Sequence, residues 1–131
     1  MSYSKEELSE YRLSRAQESL EEAKLLGTAG YWNAAANRLY YACFYAVSAY
    51  LIVKEVSAST HAGVKSAFNR ELIKSGLLPA TFGLLFNKLF NLRQDADYRD
   101  YQDMTESELQ PLIVEAGDMV DAIRSLIAGH A

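Results

Sequence analysis

The chain has few of the residues that build disulfide frameworks, metal centres or backbone breaks. Its 131 residues include one cysteine, two histidines and two prolines. The single cysteine, Cys43, excludes an intrachain disulfide framework and fits a reducing cytoplasm. There is no Glu-x-x-His pair, and His130 lies next to the C-terminus, so a zinc or di-iron site is not expected. We therefore predict no metal and no cofactor.

Other signals are missing as well. The seven glycines are isolated, and no phosphate-binding loop or dinucleotide fingerprint is present. The first ten residues, MSYSKEELSE, lack the apolar stretch of a signal peptide. The formal net charge of −4 argues against tight non-specific binding to nucleic acid or to an anionic membrane. A local basic patch remains compatible with that charge.

Charge is almost absent between Leu25 and Val53, where Arg38 is the one charged residue. This window is long enough for a membrane span, but it carries polar residues and its tyrosines are scattered through the middle. We interpret it as a buried helix of a soluble protein. A buried arginine is costly unless it is paired, so Arg38 either meets a carboxylate, with Asp97 as first choice, or faces a cleft that binds an anion.

Helical periodicity dominates the rest of the chain. The stretches SKEE at Ser4–Glu7 and TESE at Thr105–Glu108 have the pattern of capping boxes, and Pro111 is predicted to restart or kink the last helix. We predict one domain over residues 1–131 with an all-α fold, an up-down antiparallel bundle of four long helices and one short helix. The predicted helices cover about 4–26, 31–54, 61–74 and 79–101, with a fifth after the second capping box.

Two clusters could carry chemistry. Arg38, Tyr41 and Tyr45 share one stripe of the second helix, with Asn37 beside it. Either the tyrosines belong to the core and Arg38 pairs with a carboxylate, or the stripe is the aromatic floor of an anion-binding groove. The second cluster is NLRQDADYRDY at 91–101, which crowds charges and tyrosines beside an apolar face. The structural alternative is that this cluster forms a surface ion pair, which would stabilise the fold by a few tenths of a kcal/mol.

Three stretches together resemble the HEPN domain, a small helical family with nucleotide-binding members. They are YWNAAANRLYYACFYAVSAYL, STHAGVKSAFNRELIKSGLL and LFNLRQDADYRDY. The resemblance extends from about Ser4 to Ile127 and is strongest to short single-domain prokaryotic members. It implies a four- to five-helix bundle that forms a homodimer. Many members are encoded with a minimal nucleotidyltransferase as toxin–antitoxin-like pairs, and active members are metal-independent ribonucleases.

The family's catalytic signature is an arginine followed four to six residues later by a histidine. Carried over, the arginine is Arg93, and Tyr98 occupies the histidine position. A tyrosine that follows in some members would fall on Asp100, with Tyr101 one place late. An unperturbed tyrosine is ionised to only about one part in a thousand at pH 7, so it is a poor base there.

Two functions follow from the resemblance. The first is a non-catalytic binding or regulatory module, paired with a nucleotidyltransferase, in which Arg38, Arg93 and Asp97 hold a phosphate, nucleotide or partner. The other candidate binding residues are Asn37, Tyr41, His61 and Tyr101. The alternative is a ribonuclease in which Arg93 holds the scissile phosphate, Tyr98 hydrogen-bonds the reacting oxygen and His61 assists from another helix. The missing histidine and the acidic balance favour the first. Both place the protein in the cytoplasm and away from membranes, acting on RNA or nucleotides.

Overall fold

The fold is all-α, as predicted. A computed structural model describes residues 3–98 and 104–129, with the backbone alone described for 94–98. Four long helices and one short helix are present, and no strand occurs in these ranges. The helices are α1 (Lys5–Thr28), α2 (Trp32–Val53), α3 (His61–Phe68), α4 (Ala80–Tyr98) and α5 (Glu106–Ala128).

Helix α1 begins at the predicted capping box. The Ser4 hydroxyl accepts a hydrogen bond from the Glu7 amide at 3.1 Å, and the Glu7 carboxylate accepts one from the Ser4 amide at 3.3 Å. The helix ends two residues later than predicted, at Thr28. Gly30 follows with φ 88°, a conformation that favours glycine, and Tyr31 donates back to the Leu26 carbonyl at 2.8 Å. The short turn returns the chain antiparallel along α1.

Helix α2 is the centre of the bundle and packs against α1, α4 and α5. Helices α1 and α2 pack along each other, and small residues on both, Ala16, Ala23, Ala35 and Ala46, are fully buried. These small side chains let two helices approach closely along their length. The inward faces of α1, α2, α4 and α5 form one hydrophobic core. The apolar window around Arg38 therefore reflects a helix surrounded by neighbours.

The third predicted helix differs in geometry from the prediction. It starts at His61, where the Thr60 hydroxyl accepts from the Gly63 amide at 2.9 Å, as expected for a capped start. After Phe68 the chain continues as a π-helical turn over Asn69–Ile73. Periodicity predicted helix to Lys74 and could not separate the two helix types, because a single wider turn barely changes the apolar spacing.

Helix α5 also begins at its predicted capping box, between Thr105 and Glu108. It continues without interruption through Pro111, so the helix does not restart there. Proline lacks the amide that would bond to the Ser107 carbonyl, and the loss falls near the start of the helix. Buried side chains on one face, among them Leu109, Ala116 and Ile123, hold α5 against the bundle.

Candidate functional site

The stripe on α2 is half-buried at the rim of the bundle. The Arg38 guanidinium carbon lies 4.9 Å from the Tyr41 ring centroid, and the Tyr41 and Tyr45 rings are 6.2 Å apart. Arg15 of α1 approaches the Tyr45 ring at 5.4 Å. Cations and aromatic rings therefore alternate along this edge, an arrangement stabilised by cation–π attraction.

Arg38 has a carboxylate neighbour, as predicted, but this carboxylate belongs to α1 and not to α4, where the predicted partner Asp97 lies. Its Nη1 lies 3.7 Å from Glu22 Oε1 on α1, and its Nη2 donates to Asn37 Oδ1 at 2.9 Å. The predicted partner Asp97 has its side chain outside the described residues. Arg38 retains 28% of its side-chain exposure, so it is not buried as its apolar sequence surroundings suggested. The helix places it at the rim, where the guanidinium stays partly hydrated.

This position sets the expected effect of replacing Arg38. We expect Arg38→Ala to lower the free energy of unfolding by about 1–2 kcal/mol through lost packing on Tyr41. Arg38→Met should lower it by less, because the aliphatic stem is retained. Glu22→Gln is the matched control for charge and should change it by less than about 1 kcal/mol, since the pair is half-exposed. Urea denaturation measures all three, and a Glu22→Gln loss equal to that of Arg38→Ala would show that the ion pair dominates.

Arg93 reaches from α4 to the same tyrosine. Its Nε donates to the Tyr41 hydroxyl at 3.2 Å, and its guanidinium carbon lies 5.6 Å from the Tyr40 ring centroid and 5.9 Å from that of Tyr41. Tyr41 thus contacts both Arg38 and Arg93. Two guanidinium groups from two helices therefore lie at one ring, and Arg38 also has the Glu22 carboxylate beside it.

His61 belongs to this cluster, although it lies on a different helix and far from Arg93 in sequence. Its Nδ1 is 2.7 Å from the Tyr40 hydroxyl, and its ring centroid is 4.7 Å from that of Phe44. Burial lowers the pKa of His61, and the positive charge of Arg93 lowers it further. The imidazole is therefore biased toward its neutral form near pH 7.

Two contributors were not singled out from the sequence. Tyr40 lies in the apolar window of the second helix and is fully buried, but its hydroxyl bonds His61. Burial raises the pKa of Tyr40 to about 12, so the phenol keeps its proton. Lys65 lies one turn after His61, with Nζ 4.4 Å from the Phe90 ring centroid and 2.8 Å from Asn87 Oδ1. The sequence did carry a signal for Lys65, because it lies four residues after His61 and so shares a helix face with it.

Three predicted site residues lie wholly or partly outside the part of the chain that the structure describes. Tyr101 and the side chains of Asp97 and Tyr98 lie outside the described residues, so their relation to Arg93 stays a prediction. Asn37 contacts Arg38 and does not reach Arg93 directly in any described contact. Cys43 is fully buried and burial raises its pKa to about 12, which keeps the thiol protonated and unsuited to nucleophilic attack.

Two further properties concern only the described ranges. No three His, Cys, Asp or Glu side chains among those residues gather closely enough to hold a metal ion. Within the same ranges, none of the helices combines the length and the apolar character needed to cross a membrane.

Comparison with known proteins agrees with the helical architecture. The HEPN domain model matches residues 9–126. A Thermotoga maritima protein named "UPF0332 protein" is 42% identical over 123 residues, which cover 94% of this chain and 93% of that protein. A Methanocaldococcus jannaschii protein named "Putative toxin MJ0605" is 34% identical over 112 residues, covering 86% and 83%. A second, "Putative toxin MJ0142", is 34% identical over 101 residues, covering 77% and 69%. With a model match over nearly its whole length, the chain belongs to the HEPN domain family.

Proposed function

We propose that this protein is the HEPN component of a toxin–antitoxin-like pair in the cytoplasm, and that its Arg93 site binds phosphate groups of RNA or a nucleotide without cleaving them. The observation that carries the proposal is the convergence of Arg93, Tyr41 and His61 from three helices. The toxin names of two relatives support the kind of system.

A phosphate group suits this cluster for electrostatic reasons. A guanidinium offers paired donors that match two phosphate oxygens, and the attraction is stronger than for a neutral donor. An anion near Arg93 would also lie close to a second guanidinium, because Arg38 contacts the same Tyr41 ring. The half-exposed rings of Tyr41 and Tyr45 add flat faces on which a base can stack.

Binding without cleavage follows from the residue at the family's histidine position. Tyr98 occupies that position, and an ordinary phenol is too weak a base at pH 7 to remove a proton from a ribose hydroxyl. Arg93 alone can hold a phosphate but cannot transfer a proton, because a guanidinium stays charged.

A fluorescently labelled single-stranded RNA tests this function directly. We expect anisotropy to rise on addition of the protein in EDTA, while gel analysis of the same samples shows intact RNA. Raising the salt concentration should weaken binding, because phosphate contacts release counterions. Failure to capture RNA or nucleotides at low salt would contradict the proposal.

We also propose that the protein acts as a homodimer in which Arg93 and Tyr98 of two copies face each other across a two-fold axis. The α2 edge supports this geometry, since it leaves aromatic rings half-exposed beside both arginines. A symmetric interface would turn two such edges into one composite groove. We expect light scattering at micromolar concentration to give twice the mass of the 14.6 kDa chain. A monomer at that concentration would contradict the composite site.

A minimal nucleotidyltransferase is the expected partner protein. We expect such a protein, encoded beside this chain, to co-purify with it when both are produced together. Recovery of each protein alone would argue against a toxin–antitoxin-like pair, whatever the RNA-binding result.

The ribonuclease remains a second candidate because of one observation. His61 lies beside Arg93, so an imidazole is present at the site even though Tyr98 replaces the family's histidine. An imidazole with a free ring nitrogen can exchange protons near neutral pH. The two candidates differ in whether RNA is cleaved in the absence of metal.

A further inference from the structure

The hydrogen bond between Tyr40 and His61 determines which ring nitrogen carries the proton. The Tyr40 side chain is fully buried, and His61 Nδ1 is the one partner of its hydroxyl among the described residues. A buried O–H without an acceptor is costly, so the hydroxyl donates to Nδ1. The neutral imidazole then carries its proton on Nε2. No described residue bonds Nε2, and this N–H is the group that an incoming acceptor would bind.

Protonation of His61 is opposed from several sides. A proton on Nδ1 would force the Tyr40 oxygen to accept and would leave the phenolic proton without an acceptor in the described core. Arg93 adds a positive charge nearby, and the imidazole is half-buried among aromatic rings. The ionisable groups around His61 are Tyr40 and Tyr41 of α2, Lys65 of its own helix and Arg93 of α4, while the side chains of 94–98 lie outside the described residues.

An anion at the site would reverse this balance. Its negative charge would offset Arg93 and favour the imidazolium, and Nε2–H would donate a hydrogen bond to it in either protonation state. We propose that His61 and Arg93 form a proton-linked site for a phosphodiester, in which His61 takes up a proton as the anion binds. This inference rests on the proposed phosphate site and adds its regulation: affinity rises as the pH falls.

The direction in which affinity changes with pH follows from the linkage between proton binding and anion binding. If the anion-bound protein holds its proton more tightly than the free protein, then the protonated form must bind the anion more tightly. Affinity is therefore lowest at high pH and rises through the range in which free and bound His61 titrate. One linked proton limits the change to about tenfold per pH unit.

The test needs ligands that do not titrate themselves. The diribonucleotide UpU and inorganic sulfate both keep constant charge between about pH 5.5 and 8, unlike a phosphate monoester, whose second pKa is near 6. Calorimetry in buffers of different ionisation enthalpy measures the protons taken up on binding. We expect proton uptake and severalfold tighter binding at pH 5.5 than at pH 8 for both ligands. Proton uptake with UpU but not sulfate would also support the proposal, since it would assign the site to the diester.

Substitutions test whether the proton taken up on binding resides on His61. His61→Asn should weaken binding, because it removes one donor to the anion, and should abolish both proton uptake and the pH dependence. His130→Asn is the matched control that should change neither proton uptake nor pH dependence. Tyr40→Phe keeps the ring that stacks on Phe86 but removes the hydroxyl. Nitrogen NMR of His61 should show the Nε2–H tautomer in the wild type and a mixture in Tyr40→Phe. Thermal melts establish that each variant is folded.

The outcomes separate this inference from the proposed function. Binding with no proton uptake, or with uptake unchanged in His61→Asn, overturns the role of His61 and leaves the phosphate site standing. A His61 resonance whose titration does not move on saturation with UpU overturns that role in the same way. Absence of binding to either ligand at every pH overturns both.

Discussion

Phe86→Ala should lower the free energy of unfolding by about 3–5 kcal/mol, the range for truncating a fully buried aromatic residue. The Phe86 side chain has no exposed surface. Its ring stacks on Tyr40 with centroids 5.7 Å apart and meets Phe68 edge-on at 5.2 Å. Removal of the ring would leave a cavity between α2, α3 and α4. The surrounding helices would shift to fill this cavity only in part.

Urea denaturation followed by circular dichroism measures this loss. Leu84→Ala is the matched control on the same helix, because Leu84 is 71% exposed and should change stability by less than about 0.5 kcal/mol. Phe86 also supports the ring that holds His61, so we expect the His61 tautomer in Phe86→Ala to become mixed under conditions where the protein is still folded. Equal losses for the two substitutions would mean that α4 does not pack as described.

Arg93→Ala should weaken capture of RNA or a nucleotide by about 1.5–3 kcal/mol, the scale of a hydrogen bond to a charged group. This corresponds to roughly 10- to 150-fold in the dissociation constant. Arg70→Ala is the matched control, because Arg70 is an exposed arginine on the π-helical turn and pairs with Glu71. It removes the same charge away from the site and should change affinity by less than about twofold at moderate salt.

The same variant separates binding from cleavage. We expect wild-type protein to leave RNA intact at every pH. If the protein is a ribonuclease that uses Tyr98 as base, cleavage should persist in EDTA, vanish in Arg93→Ala and increase with pH toward the pKa of a phenol. Tyr98→His should then raise activity near pH 7 and move the optimum downward. EDTA-resistant cleavage at pH 7 by the wild type, abolished by Arg93→Ala, would overturn the binding module and establish the ribonuclease.

Local chemistry in the sequence was sufficient for the helices and their ends. The capping boxes at Ser4 and Thr105 form as predicted, because a cap depends on side chains within three residues of the backbone groups they satisfy. The nearly uncharged window from Leu25 to Val53 likewise predicted a buried helix, since a helix that is apolar almost all round must be covered on most sides. The change to π-helix after Phe68 was not predicted, because it depends on how that turn packs against α4.

The candidate site was likewise predicted in part from the sequence and decided in part by the tertiary structure. Sequence motifs drew attention to Arg93, Arg38, Tyr41 and His61, and the chain does bring these residues to one edge. Tertiary structure alone decided their partners. Arg38 contacts Glu22 because α1 packs beside this edge of α2. His61 contacts Tyr40 because the start of α3 packs on the aromatic face of α2. Spacing along one helix predicts which side chains share a face, but contacts between helices depend on crossing geometry and rotation, which no single segment encodes.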